Sequence, residues 1–371
     1  MFFSIATKKD DRFPNHAEMG GWILSMDDGW RPLQNGGWYK GFRHSSTGYG
    51  IWTEIHQERG TLLISHGPVR GYPLWWSKES RVLTNLCGSG MPLWSDDRIH
   101  LTHNDAHIDK IKIIPSDPLP SRSLEEVCAV IENDLLLKTR HLFDDFEKWP
   151  KKLFVTGGID TLLLLGLCSK QNKQAELLDH EFFQYDYFCN RNISEIRKNH
   201  WAYNQLHHWT QDTILLTGSQ GDEFLFRGPN TIALWCAWHD IDLAKLLINS
   251  KGYHAKYFLK EKNLKLFTDA HRNKAQIREL MPTKQELIHK ILDMNANDFQ
   301  HWHLGKTITW TPYADLMLTK TILSMSEEDV ISQILDAKVN KKILSSLNHK
   351  FLSMLSNFKN IDTRVNLQTH V

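Results

Sequence analysis

The chain is short of cysteine, has no long apolar run and carries no surplus of either charge. Its 371 residues include five cysteines, Cys87, Cys128, Cys168, Cys189 and Cys236. They are scattered, odd in number and never form C-x-x-C. That pattern excludes a disulfide framework or a zinc ribbon and points to a reducing, cytoplasmic setting. The apolar stretch from Leu162 to Cys168 is far too short to span a bilayer. Phe2, Phe3 and Ile5 precede Lys8 and Lys9, the reverse of the order in a secretory signal. Lys and Arg total 44 against 43 Asp and Glu, a net charge of +1. No global field therefore draws nucleic acid or an anionic membrane. Internal repeats and low-complexity tracts are absent as well.

What is present is ordinary globular composition, 41% hydrophobic and 23% charged, with an excess of 14 Trp and 20 His. At roughly 100–200 residues per domain, two domains are expected. The first half is rich in Gly, Trp and short alternating runs, which read as strands. Tyr49–Ile55 and Thr61–Ser65 flank Glu58-Arg59-Gly60 and suggest a hairpin. Tyr72–Trp76 and Ser80–Thr84 suggest further strands. Trp22, Trp30, Trp38, Trp52, Trp75, Trp76 and Trp94 all fall here, and they are expected to form its core. Pro115, Pro118 and Pro120 then resist both helix and sheet, so the division is set at 1–114 and 115–371.

Beyond that point the pattern changes. Ser123-Leu124-Glu125-Glu126 opens a helix with Val127, Val130, Ile131 and Leu135 on its apolar face. Lys152–Val155 is a short apolar strand that runs into Thr156-Gly157-Gly158-Ile159-Asp160-Thr161, with a buried helix after it. Thr213–Thr217 is a second strand, ending in Gly218-Ser219-Gln220-Gly221-Asp222-Glu223. Strands alternating with helices imply a mostly parallel sheet. From about 240 to 371 the sequence reads almost wholly helical.

The Gly157-Gly158 turn between strand and helix has the chemistry of an anion site, because backbone N–H groups and the helix N-terminus face the ligand. Thr156 and Thr161 add hydroxyl donors. Asp160 within such a loop would repel phosphate unless it held a divalent cation, and Mg²⁺ suits one or two carboxylates plus phosphate oxygens. The second loop also ends in an acid. In open α/β sheets ligands bind beyond the carboxyl ends of the strands, so Asp160 and Asp222 are candidate ligands of one Mg²⁺.

These segments resemble the asparagine synthetase family of ATP pyrophosphatases. Thr156–Thr161 is similar to its S-G-G-x-D-S pyrophosphate loop, and Gly218–Glu223 to its G-E-G-A-D-E loop. Thr311-Pro312-Tyr313-Ala314-Asp315 resembles the P-F-L-D segment. Lys341-Lys342-Ile343-Leu344 resembles K-x-x-L-R, with Ser345 in place of Arg. In the first half, Gly67–Trp76 looks like the R-D-x-x-G-x-x-P-L-Y-Y segment of the family's glutaminase domain, one residue short between Gly and Pro. The resemblance implies an α+β domain of N-terminal-nucleophile type, then an α/β domain of ATP pyrophosphatase type and a helical C-terminal region. It implies ATP and Mg²⁺ as cofactors, with Thr156, Gly157, Gly158, Asp160, Thr161, Gly218 and Ser219 around the nucleotide, Asp160 and Asp222 on the metal, and Asp222 and Lys341 in catalysis. The implied reaction is activation of a small-molecule or peptide carboxylate as an acyl-adenylate, followed by transfer to ammonia or an amine. Phe2 stands where the family's glutaminase has its Cys nucleophile, so glutamine hydrolysis is not expected. Nitrogen would then come from solution, from an ammonia-supplying partner or from an amine substrate. Phe2 and Ser219, which stands where the family often has Glu, favour an alternative, a non-catalytic binding or scaffold protein on the same fold; a further alternative is a relative that adenylates and modifies a nucleobase or tRNA.

Other clusters read as structural. His100, His103 and His107, with Asp105 and Asp109, would share one face only if helical. His207-His208 and His301-Trp302-His303 are read as surface or packing residues, Lys256, Lys260, Lys262 and Lys265 as a solvated helix face, and Cys168 as a core thiol.

Overall fold

The computed structural model describes residues 3–7, 15–19, 22–26, 31–32, 38–44, 48–69, 74–84, 90–94, 97–102, 106–110, 117–154, 158–178, 188–190, 196–198, 213–297 and 307–357. The described residues of the first half form twelve short strands. They are β1 (Phe3–Ala6), β2 (Asn15–Met19), β3 (Trp22–Met26), β4 (Arg31–Pro32), β5 (Trp38–Gly41), β6 (Trp52–Glu58), β7 (Thr61–His66), β8 (Leu74–Ser77), β9 (Val82–Thr84), β10 (Met91–Leu93), β11 (Asp97–Leu101) and β12 (Ala106–Lys110). They form two antiparallel six-stranded sheets, in the orders β10-β8-β9-β1-β3-β2 and β12-β11-β7-β6-β5-β4. The expected hairpin is β6–β7. Arg59 and Gly60 both take positive φ, 48° and 81°, which matches the twist of a two-residue turn to that of its strands.

Period-two alternation sends one face of each sheet inward. Ile5, Trp22, Leu74, Leu83 and Leu93 from the first sheet meet Ile55, Leu62, Ile64, Ile99 and Leu101 from the second in one apolar cluster. The described residues before 111 contain strands and no helix. Nor is the tryptophan set a uniform core. Trp22 is buried, but Trp94 is 45% exposed, and Trp52 is half-buried with the Arg43 guanidinium 3.9 Å from its ring centre. Trp30 and the side chain of Trp38 lie outside the described residues.

The second half begins with α1 (Leu124–Asp145), capped by Ser123, whose side chain accepts from the Glu126 amide while Glu126 reaches back to the Ser123 amide. Val127, Ile131, Leu135 and Leu142 are buried along one stripe. Val130 does not join them and is 42% exposed, because it sits about 120° around the helix from the middle of that stripe. β13 (Lys151–Phe154) follows, then α2 (Ile159–Lys170), β14 (Glu176–Leu178), a small antiparallel pair β15 (Phe188–Asn190) and β16 (Ile196–Lys198), and β17 (Thr213–Leu216). Between β17 and residue 297 lie α3 (Gly221–Phe224), α4 (Pro229–Trp238), α5 (Leu243–Asn249), α6 (Ala255–Phe258), α7 (Glu261–Arg272), α8 (Lys274–Leu280) and α9 (Lys284–Asn297). β18 (Thr307–Trp310) then precedes α10 (Leu316–Ile322), α11 (Glu327–Asp336) and α12 (Lys338–Asn357).

β14, β13, β17 and β18 form a parallel sheet in that order. β18 corrects the expectation of an almost wholly helical stretch after 240. Its four residues, Thr-Ile-Thr-Trp, are β-formers, but too few to show against long helical flanks. α2 packs on α12 and is buried on nearly every face, as its Leu-rich sequence requires. Cys168 is a core thiol as expected, pushed up to about 12 by burial.

The sheet explains where a site can form. The chain runs from β13 outward to β14 on one side, then returns to place β17 on the other side of β13. The strand order therefore reverses between β13 and β17, the kind of switch point beyond whose strand ends α/β sheets bind ligands. Residues 111–116, which include Pro115 at the expected division, lie outside the described residues. Packing crosses that division: Phe42, Ile51 and Val69 join the apolar core of the second half, and the Phe42 ring lies 6.2 Å from that of Trp310. No helix among the described residues is long and apolar enough to cross a membrane.

Candidate functional site

Asp160 and Asp222 follow the two strands, β13 and β17, that meet at this switch point. Asp160 is in the first turn of α2, whose N-cap, Gly158, is exposed and offers no side-chain cap. The Thr161 hydroxyl donates to the Gly158 carbonyl at 2.9 Å. Asp222 is in the first turn of α3. The loops touch backbone to backbone, which accounts for both glycines of the second one. A Cβ on Gly218 would lie 2.7 Å from the Thr161 amide nitrogen, and one on Gly221 would lie 2.4 Å from Cγ of Asp160. Gly221→Ala is therefore expected to displace the Asp160 carboxylate and lower stability by about 1–3 kcal/mol. Urea unfolding of the variant checks this; an unchanged midpoint would show that the loops are not in contact.

Between the two carboxylates stands a residue that sequence reasoning did not single out. Arg227, 1% exposed, donates from Nη2 to both oxygens of Asp160, and the same nitrogen lies 3.0 Å from Oδ1 of Asp222. The chain brings it there by reversing after α3: Phe226 takes a positive φ of 57°, and the Arg227 amide donates to the Asp222 carbonyl at 2.6 Å. Its other terminal nitrogen, Nη1, meets Nε2 of His254 at 3.2 Å. Arginine can only donate, so Nε2 accepts and the imidazole is neutral. Nε of Arg227 is buried without a hydrogen-bond partner, as are both polar atoms of the Gln220 carboxamide in the second loop.

The later segments close on the same carboxylate. The Asn340 amide donates to Oδ1 of Asp160 at 3.0 Å. Buried Gln333 orients it, donating to Oδ1 of Asn340 and to the Leu225 carbonyl, both at 2.8 Å, and accepting from the Val339 amide. The Tyr313 hydroxyl donates to the Asp160 carbonyl at 2.8 Å, and burial together with Asp160 holds that phenol well above its usual range. Thr311 donates to the Ser219 carbonyl at 2.8 Å, and the Thr217 and Ser219 hydroxyls are 2.9 Å apart. Lys341 lies at the edge of the site, its ammonium 2.6 Å from Oδ1 of Asp336 and 5.2 Å from the Tyr253 ring centre. Thr156 and Gly157 lie outside the described residues. The expected residues Gly158, Asp160, Thr161, Gly218, Ser219, Asp222 and Lys341 thus fall in one region. Arg227, His254, Gln333 and Asn340 were missed. The one available signal was a lone charge ending the apolar run Phe224-Leu225-Phe226.

The electrostatics follow from burial. Desolvation pushes the Asp160 carboxyl up to about 6, against the pull of Arg227, with the like charge of Asp222 adding to the rise and Asn340 opposing it. Burial, and then the charges of Arg227 and Lys341, push His254 from 6.5 down to about 3. A depressed histidine contributes stability that is present above 6.5 and lost as pH falls toward 3. The wild-type protein should therefore lose about 1 kcal/mol per pH unit below 6.5 relative to His254→Gln. Asp160 titrates with the opposite sign, so only the difference between the two proteins reports the imidazole. Parallel urea midpoints from pH 7 to 5 would disprove it.

Mg²⁺ between Asp160 and Asp222 meets a guanidinium already in place. Both Asp160 oxygens are engaged by Arg227, and Oδ1 also by Asn340. Among the described residues no three His, Cys, Asp or Glu side chains are grouped to hold a metal. Asp160 as placed does not fit a directly bound divalent ion. His100 and His107 are cross-strand neighbours on β11 and β12, not one face of a helix, and each approaches Asp109, at 2.8 and 2.7 Å. His103 and Asp105 lie outside the described residues, as do His207, His208 and 301–303. Lys260, Lys262 and Lys265 are exposed, in line with a solvated face.

No family model matches the chain, and no curated protein matches it in sequence.

Proposed function

We propose that the protein is an ATP-dependent, AMP-forming carbon–nitrogen ligase of the asparagine synthetase type, without a glutaminase of its own. One observation carries this reading. Residues of three segments similar to motifs of that family, and Asn340 immediately before the fourth, meet at Asp160. The first loop contributes Asp160 itself, and the second presses Gly221 against it. Tyr313 hydrogen-bonds its carbonyl, and Asn340, beside Lys341, bonds its carboxylate. Their meeting at one residue, at the switch point of a parallel sheet, is what supports the reading.

In this reading the N-terminal end of α2, at exposed Gly158, lies toward the phosphates of ATP. Tyr313 and Asn340 hold the turn rigid, and the carboxylate substrate displaces pyrophosphate from the α-phosphorus. Ammonia or an amine then displaces AMP. The positive charge available at the loops is that of Arg227, with Lys341 at the rim, so charge stabilisation falls to the protein's own side chains.

Isotope exchange between pyrophosphate and ATP, over a panel of carboxylates, tests the proposal. Exchange that depends on one carboxylate and is lost in Gly158→Pro is the expected result. No exchange together with no ATP binding would remove it. The closure of Asp160 by Arg227 favours a second reading, a binding protein that keeps the fold without the chemistry. Nucleotide binding with no exchange for any carboxylate would establish that one.

A further inference from the structure

We infer that Arg227 is the resident cation of this site, occupying the position between Asp160 and Asp222 where a divalent metal would otherwise bridge them, so that the two aspartates are not metal ligands in the folded protein. The geometry is that of a ligand shell turned inward. Two carboxylates on separate loops point at one centre, and that centre is a guanidinium nitrogen within 3.0 Å of Asp222 and in contact with both Asp160 oxygens. Arg227 is too buried to be a mobile surface arginine resting on the pair, and it is fastened at three places. Its backbone amide holds the Asp222 carbonyl, Nη1 holds neutral His254, and Nη2 holds the carboxylates. Asn340, fixed by Gln333, adds a donor to Asp160 where a metal-bound carboxylate oxygen would keep that lone pair for the ion.

The consequence is chemical. A divalent ion exchanges with solvent and enters with its ligand, whereas a buried guanidinium is permanent and always charged. The carboxylate pair then serves to position Arg227 and to join the two loops, and Arg227 sets which cations the site admits. The inference stands on the placement of these side chains and not on the adenylation reading, since a nucleotide brings its own metal and a titration with metal alone reads only the protein.

Mn²⁺ binding followed by electron paramagnetic resonance, on the full chain without nucleotide, tests it. Wild-type protein should show no saturable site below the millimolar range that depends on Asp160. Arg227→Ala should gain one Mn²⁺ site, and Asp160→Asn in that background should remove it. A wild-type site abolished by Asp160→Asn or Asp222→Asn would overturn the inference. So would a folded Arg227→Ala that gains none. If Arg227→Ala does not fold, the wild-type titration alone decides: no Asp160-dependent site upholds the inference, and one overturns it. Pyrophosphate exchange can fail while this result holds, and the reverse, so the two proposals are separable.

Discussion

Arg227→Leu should lower the unfolding free energy by about 3–5 kcal/mol, the usual cost of leaving a buried charge without its partner. Leucine removes the one cation that, among the described residues, pairs with this mostly buried carboxylate, and it leaves Asp160 facing Asp222 across the site. Asp160 would then take up a proton, and the two loops would lose the group that joins them. The double variant Arg227→Leu/Asp160→Asn should recover much of the loss, because Asn presents no charge and can still accept from Asn340. A urea-unfolding cycle over the four proteins measures the coupling. If the single variant costs under about 1 kcal/mol, an exposed-pair value, the buried pairing of Arg227 with Asp160 is wrong.

Lys138→Met should have an effect of the same size, about 3–5 kcal/mol, for the same physical reason. Lys138 lies on α1 with its side chain fully buried, and its ammonium is 2.6 Å from Oδ2 of Asp315, which is also fully buried. Asp134, one turn earlier on α1, contacts the same ammonium, and its carboxyl is raised by burial with Lys138 opposing. Methionine fills the space of the stem but strands both carboxylates. Asp315 has a second task, since its other oxygen accepts from the Met317 amide at 2.8 Å and caps α10. Asparagine keeps that cap. Lys138→Met/Asp315→Asn should therefore regain a large part of the stability, whereas Lys138→Met/Asp315→Ala should regain less. Equal recovery by both would show that the cap contributes nothing. The pair anchors the loop from Thr311 to Asp315, and so the Tyr313 hydroxyl that holds the Asp160 carbonyl. Stability and site geometry should fail together here.

Much of the arrangement is legible in local sequence. The β6–β7 hairpin follows from Arg59-Gly60 between alternating strands, and α1 starts at Ser123 because Ser and Glu three residues apart satisfy each other's amides. α2 is buried because its sequence has no polar face. Asp160 and Asp222 were legible for a similar reason: a short apolar strand followed by glycine and an acid already states that a loop leaves the end of a parallel strand. β18 was not legible, because four residues carry too little pattern and their strand character comes from pairing with β17. Val130 was misplaced because apolar residues three apart do not all fall on one narrow stripe. Trp94 shows that an aromatic side chain does not by itself mean core.

The sequence alone determined the β6–β7 hairpin, α1, α2, the two loops and the pair of acids, because each depends on residues within a few positions of one another. Only the tertiary structure decided what stands between those acids. Arg227, His254, Gln333 and Asn340 come from distant parts of the chain, and their charge and hydrogen-bonding state depend on burial, which no local pattern records. A carboxylate pair that reads in sequence as a seat for a metal becomes, once the fold closes over it, the seat of an arginine.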